Sequence, residues 1–462
     1  MPRPDFQTSA VAVTRFGLGG KPGEIEAVAR DPRGWLTAQI DPRGAPTPSG
    51  PLPTTLDRVE ALRTHSRVAR QARTGAAAME DLPATADPFR ESRRALAEGM
   101  QQEFLARTRL ATATEAGFAE RWALFWINAF TASINKFQTS VFVGPYEREA
   151  IRPHVFGAFE DLAVAAETHP AMLMYLDQAS SVGPNSAAGL RRESGLNENF
   201  AREILELHTV GSEGGYSQAD VTEFARAMTG WSITLDAGAA PAGGNGFVFR
   251  AAAHEPGPRT VMGRLYDGAA HTKGERILRD LANQPATARR LARRIAVHFV
   301  ADDPPASLVD RLQTAWIDSA GDLARVAGAL IAAPEAWSPP PTKIKTPYEF
   351  IVSTHRALGA EPQALAPVRQ ALTQMGQPMF QPPSPEGWPE MAEDWAGPHA
   401  LVTRLNWARA ISDTAADVEP VDIATSALGP RLQDRTRQFM MRAESRTEAM
   451  TLFLMSPEFQ RR

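Results

Sequence analysis

The chain of 462 residues contains no cysteine. This absence excludes disulfide bonds, zinc–thiolate sites, iron–sulfur clusters and a cysteine nucleophile. Carboxylate, imidazole, amide and indole groups remain as the side chains on which a functional site would be built.

An excess of charge of one sign and long apolar runs are also missing. The sequence has 49 Lys and Arg residues against 53 Asp and Glu, a net charge of −4, which argues against a nucleic-acid binder. No apolar run is long enough to span a bilayer, and the first twenty residues lack the pattern of a signal peptide. We therefore expect a soluble protein without membrane insertion. The expected compartment is the cytoplasm, or the periplasm or exterior if a leader was removed.

Helix-forming patterns dominate the rest of the chain, for example at 94–111, 117–130, 285–299 and 347–359. Strand signals are few, and the best is GFVFR at 246–250, with TVMGRLY at 260–266 as its expected partner. These patterns predict a mainly α fold, an irregular multi-helix body with a small β-hairpin near 246–266 and long proline-rich loops.

The segment 376–398 is the longest of these loops and contains six prolines and two tryptophans. Long ordered loops are often functional. Gln377, Gln381 and Trp388 are therefore candidates for lining a ligand cleft, with Trp388 stacking on a sugar-like or aromatic group. The alternative is that the tryptophan only fixes the loop to the body.

The densest polar chemistry lies in the predicted helix 194–209. At about 100° per residue, the side chains of Glu198, Arg202, Glu206, Asn199 and Glu203 share an arc of about 140°. One interpretation is a salt-bridged surface face in which Arg202 neutralises the glutamates, with His208 in the core. The other is a functional cluster in which Glu203 and Glu206 act as acid and base.

Three further residues are candidates outside this helix. Arg152 and His154 flank Pro153 and form either an anion-binding pair or a helix cap with a packed histidine. His254 opens the turn sequence HEPGP, where it either assists catalysis or bonds to local backbone. His298, in contrast, is flanked by apolar residues and is expected to be a core histidine.

Several nucleotide-binding and hydrolase motifs are missing. The sequence has no Walker loop, no dinucleotide glycine fingerprint after a strand, no GxSxG elbow and no HExxH. These absences exclude the common motif-based assignments. The predicted helix 194–209, called the carboxylate-rich helix below, is therefore the main candidate for a functional site.

The run NENFAREILELHTVGSEGGYSQADVTEFARAMTGW resembles the signature of the bacterial domain-of-unknown-function family 1800. Other blocks are similar to the family in the same order, among them RFGLGGKPGE, HEPGP, KTPYEF and GQPMFQPPSPEGWP. This order favours a single continuous helical domain over residues 1–462, with insertions at 41–55, 236–246 and 376–398.

The resemblance implies little about activity, because the family has no general assignment. Many members look exported, and their genes often neighbour a sulfatase-like family, which implies a role at the cell envelope. Relatives commonly carry His at the positions of Ile127 and Ala129. Only Asn128 between them carries over as a substrate-binding candidate, so a divalent metal is disfavoured and no cofactor is predicted.

Three functional hypotheses remain open. The first is an enzyme, a hydrolase or lyase acting on an envelope polymer or glycan. It would use Glu203, Glu206 and His254 for catalysis, and its substrate-binding residues would be Asn128, Arg152, His154, Asn199, Arg202, Gln377, Gln381 and Trp388. The second is a non-catalytic binding or assembly partner of a sulfatase-like protein. The third is a metal-dependent protein.

Overall fold

The computed structural model describes residues 4–74, 88–191, 195–234, 245–338, 340–415 and 418–462. Helices account for 63% of the structure and strands for 4%, which confirms the mainly α prediction. The predicted insertion at 236–246 lies almost entirely outside the described residues. Within the described part, no helix combines the length and the apolarity that a membrane crossing requires.

The first part of the chain contributes nine helices among its described residues. They are α1 (Phe6–Val11), α2 (Glu24–Val28), α3 (Pro32–Thr37), α4 (Thr55–Thr74), α5 (Pro88–Ala113), α6 (Gly117–Ala129), α7 (Phe137–Pro145), α8 (Phe159–Glu167) and α9 (Pro170–Tyr175).

The middle of the chain continues with α10 (Asn199–Glu203), α11 (Gln218–Met228), α12 (Ala270–Ala282), α13 (Pro285–Phe299), α14 (Ala306–Asp318), α15 (Leu323–Ala332) and α16 (Pro347–Ala357). The last part contains α17 (Leu365–Gln374), α18 (Ala392–Trp395), α19 (Pro398–Thr414), α20 (Pro420–Leu428), α21 (Asp434–Met441), α22 (Arg446–Leu454) and α23 (Pro457–Gln460).

Two helices begin with a capping box that is visible in the sequence. In α11 the Ser217 hydroxyl accepts a hydrogen bond from the Asp220 N–H, and the Asp220 carboxylate accepts one from the Ser217 N–H. Thr346 and Glu349 do the same in α16, where Pro347 occupies the first helical position. The cap on α16 matters for the site, because the Glu349 carboxylate also pairs with two buried arginines, Arg121 and Arg462.

Among the described residues, three segments are wound as π-helix rather than α-helix: Ala12–Phe16, Tyr146–Ile151 and Ile204–His208. Such wider turns are rare and occur frequently at functional sites. The third directly continues α10, so the carboxylate-rich helix changes its winding between Glu203 and Glu206.

In the part of the chain that the structure describes, four short strands form two separate antiparallel pairs. Strand β1 (Trp231–Ile233) pairs with β2 (Phe247–Phe249), and β3 (Arg259–Val261) pairs with β4 (Arg264–Tyr266). A small hairpin is therefore present, but the expected pairing of GFVFR with TVMGRLY is wrong. The 260–266 segment folds back on itself at Met262–Gly263, where both residues have positive φ and Asp220 accepts the Met262 N–H at 2.6 Å.

Helix α6 lies in the middle of the main hydrophobic core. Its aromatic side chains Phe118, Trp122, Phe125 and Trp126 are fully buried, and Phe118, Trp122 and Phe299 of α13 lie with ring centroids about 6 Å apart. Burying this many aromatic groups fixes the position of the helix. The last turn of α6 therefore holds Asn128 at a defined place beside the 376–391 loop.

Candidate functional site

A cavity lies between α5, α6, α16 and the loop that follows α17. Its volume is about 110 Å³, which is room for several waters or a small ligand. Of the residues predicted from the sequence, Asn128, Gln377 and Trp388 line it. Ile127 lines it as well, whereas Ala129 is buried in the core.

Asn128 holds the loop rather than presenting free polar atoms. Its Nδ2 donates to the Trp388 carbonyl at 3.0 Å, and its Oδ1 accepts from the Trp388 N–H at 2.7 Å. Gly387 has a φ of +97°, and a Cβ there would lie 2.5 Å from the Asn128 carbonyl oxygen. Only glycine fits this close approach, so the Trp388 backbone is fixed against the end of α6.

The two glutamine candidates of the loop, Gln377 and Gln381, lie in different environments. Gln377 is buried, and its Oε1 accepts the Tyr348 N–H at 2.8 Å, which satisfies a free donor at the start of α16. Gln381 is exposed and does not line the cavity. The structure thus brings Gln377 and Trp388 together and leaves Gln381 outside.

Three charged residues from distant parts of the chain meet in the cavity wall. The Glu349 carboxylate pairs with Arg121 of α6 and accepts from Arg462 Nε at 3.0 to 3.1 Å. All three side chains are less than 10% exposed. Burial raises the pKa of Glu349, but Arg462 and Arg121 outweigh it and hold that pKa well below the usual range. Burial, with repulsion from Arg462, lowers the pKa of Arg121 to about 10.

His298 and Glu390 form a second pair at the same cavity, with Nδ1 and Oε1 3.1 Å apart. Burial lowers the pKa of His298 to about 4. Burial raises the pKa of Glu390, but the hydrogen bond from His298 and the nearby cations Arg294 and Lys343 outweigh it and lower that pKa to about 2. A neutral imidazole that donates through Nδ1 to a carboxylate leaves its Nε2 as an acceptor, and no described residue bonds to this Nε2.

Arg107 and Glu147 are the third charged pair, with Nη1 and Oε1 2.6 Å apart. The guanidinium lies over the rings of Phe104, Tyr348 and Phe380 at 4.7 to 5.4 Å from their centroids. Burial outweighs the nearby arginines and raises the pKa of Glu147. Glu147 comes from the π-helical turn Tyr146–Ile151, which also places Tyr146 in the cavity wall.

Sequence reasoning missed the trio Arg121, Glu349 and Arg462 and the two pairs His298–Glu390 and Arg107–Glu147. His298 was expected to be a core histidine, and nothing in its apolar neighbourhood indicates Glu390, which lies 92 positions further on. Arg121 and Glu349 are 228 positions apart. The only signal was indirect, since Glu349 lies in the capping box of KTPYEF and Glu390 in the long loop.

An open groove adjoins the cavity on the other side of Trp388. It offers about 850 Å³ and lies between α13, the π-helical turn Ile204–His208 and the loop 383–394. Trp388, Pro389 and Glu390 line both spaces, so this short stretch is the wall between them. The groove carries a row of arginines on one face of α13: Arg289, Arg290, Arg293 and Arg294.

Glu206 is the one predicted catalytic residue that lines this groove. Its Oε1 accepts a hydrogen bond from the Tyr216 hydroxyl at 2.8 Å. Burial and this bond raise the pKa of Tyr216 to about 12, so the phenol stays a donor. Arg290 of the facing helix α13 donates to the carbonyl of Leu207, which joins the two walls of the groove.

Glu203 lies one helical turn before Glu206 and is half-buried, but it does not line the groove. Burial raises its pKa, and the negative charge of Glu206 adds to this effect. Two carboxylates in unlike environments are thus neighbours on one helix. This is the arrangement from which acid and base roles arise in enzymes.

The remaining polar residues of this helix form a surface network. Arg202 donates to Gln218 Oε1 at 2.7 Å, and Gln218 and Thr222 in turn donate to Glu198. Asn199 is exposed, and its N–H donates to Asn197. Neither Asn199 nor Arg202 lines the groove or the cavity. Fully buried His208 contacts Glu167, with Nδ1 and Oε1 2.6 Å apart.

Arg152 and His154 lie away from both spaces. Arg152 is fully buried and makes two hydrogen bonds to Glu120, at 2.6 and 2.8 Å, and one to the Pro46 carbonyl. Burial alone would lower the pKa of Arg152, but Glu120 raises it. His154 is half-buried in a short 3₁₀ turn, where burial lowers its pKa. This geometry is that of a structural ion pair rather than an open binding site.

His254 is placed in the β1–β2 region, apart from Glu203 and Glu206. Its Nδ1 lies 2.8 Å from the Thr229 carbonyl, and burial lowers its pKa. The neighbouring Glu255 accepts from Asn185 through both the backbone and the side chain. The HEPGP turn therefore fixes the 183–190 segment, and His254 is not brought together with the other predicted catalytic residues.

The described residues contain no group of three or more His, Asp or Glu side chains placed to hold a metal ion. No curated protein and no solved structure matches the chain. A family model described as a protein of unknown function, DUF1800, matches residues 11–461. Because this match covers nearly the whole chain, the protein belongs to the DUF1800 family.

Proposed function

We propose that this protein is an enzyme, a hydrolase or lyase, that acts on a glycan or another envelope polymer bound in the groove beside Trp388. The observation that carries the proposal is the position of Glu206, a half-buried carboxylate held by Tyr216 in the wall of an open groove. A tryptophan and a row of arginines line the same groove.

The size and lining of the groove favour an extended, polar substrate. Its volume of about 850 Å³ falls within the usual range for ligand sites. Arg289 and Arg293 are exposed donors along one side, and Trp388 offers a flat apolar surface. Aromatic side chains with neighbouring hydrogen-bonding groups suit sugar rings, which have apolar faces and polar edges.

In this proposal Glu206 acts as the base and Glu203 supplies an acid of raised pKa. A general acid needs a pKa near the working pH, and burial moves Glu203 in that direction. Because Glu203 does not line the groove, it would act through a water or through a shift of the π-helical turn. His254 has no part in this proposal, because it does not line the groove.

The experiment is a screen of cell-wall polymers and acidic and neutral glycans, with new reducing ends or unsaturated products as the readout. We expect product from the wild type and a loss of about 10²-fold or more in Glu206→Gln. Glu60→Gln, on an exposed face of α4, is the matched control and is expected to retain full activity. Full activity in both Glu206→Gln and Glu203→Gln would remove the proposal.

A binding role in an assembly is the second candidate, and one surface favours it. Helix α19 exposes Leu401, Val402 and Leu405 on neighbouring positions. Exposed apolar side chains that cluster in this way often mark protein contacts. If the protein assembles with a sulfatase-like partner through α19, Val402→Glu with Leu405→Lys should abolish co-purification. Unchanged co-purification, or no partner at all, would count against it.

A further inference from the structure

Three arginines in the wall of the cavity each keep one terminal nitrogen unbound. Arg121 donates through Nε to the Gly17 carbonyl at 2.6 Å and through Nη1 to Glu349. Arg462 uses Nε for Glu349 and Nη1 for the His298 carbonyl at 2.6 Å. For both, and for Arg107, no described residue accepts a hydrogen bond from Nη2.

The charges at this end of the cavity do not balance. Arg121 and Arg462 share the single carboxylate of Glu349, which leaves one positive charge uncompensated within the trio. His298 is neutral and contributes only its carbonyl to Arg462, whereas the Glu390 carboxylate is held by His298 and lies near the cations Arg294 and Lys343. Arg107 is matched by Glu147. A buried charge without a counter-ion is costly, so an anion in the cavity would be bound favourably.

The rest of the wall is apolar. Leu124 and Ile127 of α6, Val143 of α7 and Phe380 of the loop line the same space. With about 110 Å³ available, the cavity is somewhat smaller than an engineered cavity of about 150 Å³ that holds benzene. The space suits a molecule of a few heavy atoms with one charged end and one apolar end.

We propose that this cavity binds the carboxylate of a small organic acid of about two to four carbons. The carboxylate pairs with the unbound Nη2 edges of Arg121 and Arg462, and the apolar end lies against Leu124 and Ile127. A planar guanidinium matches the geometry of a carboxylate, and charge-assisted hydrogen bonds of this kind are strong. The inference is independent of the polymer-cleaving function proposed for the groove.

The test is isothermal titration calorimetry of the full chain with propionate and with its neutral counterpart, propionamide. We expect propionate to bind with a Kd at least about tenfold lower, because only the anion compensates the buried charge. Butyrate should bind comparably, and inorganic phosphate and sulfate should bind more weakly. Binding of propionate should also raise the midpoint of thermal unfolding through mass action.

Two variants connect binding to the cavity. Ile127→Phe fills the space without touching a charge and is expected to reduce propionate binding by at least about tenfold. Ile317→Phe, at a half-exposed position of α14, is the matched control and should bind as the wild type does. Arg462→Lys keeps the charge but removes the forked edge, so it should weaken propionate binding while the chain stays folded by circular dichroism.

Several results would overturn the proposal. One is equal affinity for propionate and propionamide. Another is the absence of both a heat of binding and a thermal shift at millimolar propionate. A third is tighter binding of phosphate or sulfate than of any carboxylate. Unchanged propionate binding in a folded Ile127→Phe protein would also overturn it, because the ligand would then lie elsewhere.

Discussion

Asn128 at the end of α6 and Trp388 in the long loop are joined by two hydrogen bonds, one in each direction, between the asparagine amide and the tryptophan backbone. The stretch that begins at Trp388 is the wall between the charged cavity and the open groove. A single side chain therefore connects the central core helix to the part of the loop that shapes both candidate sites.

Asn128→Ala should destabilise the protein and loosen this wall. Two hydrogen bonds are lost and the Trp388 backbone groups lose their partner, so the free energy of unfolding should fall by about 1–3 kcal/mol. Urea denaturation measures the loss, and limited proteolysis should show faster cleavage within 376–398. Asn283→Ala, on an exposed surface, is the control and should change stability by less than about 0.5 kcal/mol. Equal stability of the two variants would contradict the role of Asn128.

Glu349→Gln should be far more harmful than the loss of a surface ion pair. The substitution leaves Arg121 and Arg462 buried without their shared anion, which is expected to cost about 3–5 kcal/mol of unfolding free energy. Glu115→Gln removes the exposed partner of Lys21 and should cost at most about 1 kcal/mol. If denaturant unfolding gave similar values for both, the buried network would not be a major source of stability.

The stability of the protein should fall as the pH drops below about 6.5, partly because of His298. Its folded-state pKa is about 4, against 6.5 ordinarily, so the unfolded chain binds more protons between these values. The unfolding free energy should therefore decrease by about 2 kcal/mol between pH 7 and pH 5 from this group.

His298→Gln should remove that share of the pH dependence, whereas His399→Gln, at an exposed position, should leave it intact. The measurement is chemical denaturation at pH 7 and pH 5 for the wild type and both variants. An identical pH dependence in all three proteins would show that His298 is not a buried neutral imidazole.

Tyr216→Phe tests whether Glu206 works as an ionised base. The Tyr216 hydroxyl donates to Glu206 Oε1 and so stabilises the carboxylate form. Without it the Glu206 carboxylate loses this hydrogen bond in the groove wall, so kcat should fall by about tenfold while the variant stays folded by circular dichroism. An unchanged kcat in folded Tyr216→Phe would contradict this role of Tyr216.

The sequence predicts much of the fold because its helix signals are local. Ser217 with Asp220 marks the start of α11, and Pro347 marks the start of α16. The strand pairing could not be predicted in the same way, because the partner of 247–249 is Trp231–Ile233, across a long intervening segment. Trp231 lies just after the end of α11, and its place in a strand depends on tertiary pairing.

The candidate site was less predictable, for two physical reasons. The helical wheel assumes about 100° per residue, but Ile204–His208 is π-helical, which changes the direction of Glu206 relative to Glu203. The charged pairs of the cavity also depend on contacts between distant parts of the chain, such as His298 with Glu390. Trp388 could be predicted as a site residue from the sequence, because aromatic residues in a long proline-rich loop usually pack against the body of the protein or a ligand.

The most direct test of the groove is to measure binding and cleavage of soluble cell-wall glycan fragments by the same set of proteins. Glu206→Gln should bind the fragments as the wild type does but release no product. Trp388→Ala should bind them about tenfold more weakly, the size expected for one stacking contact. If both variants bind and cleave like the wild type, the groove beside Trp388 is not the site of a polymer-cleaving reaction.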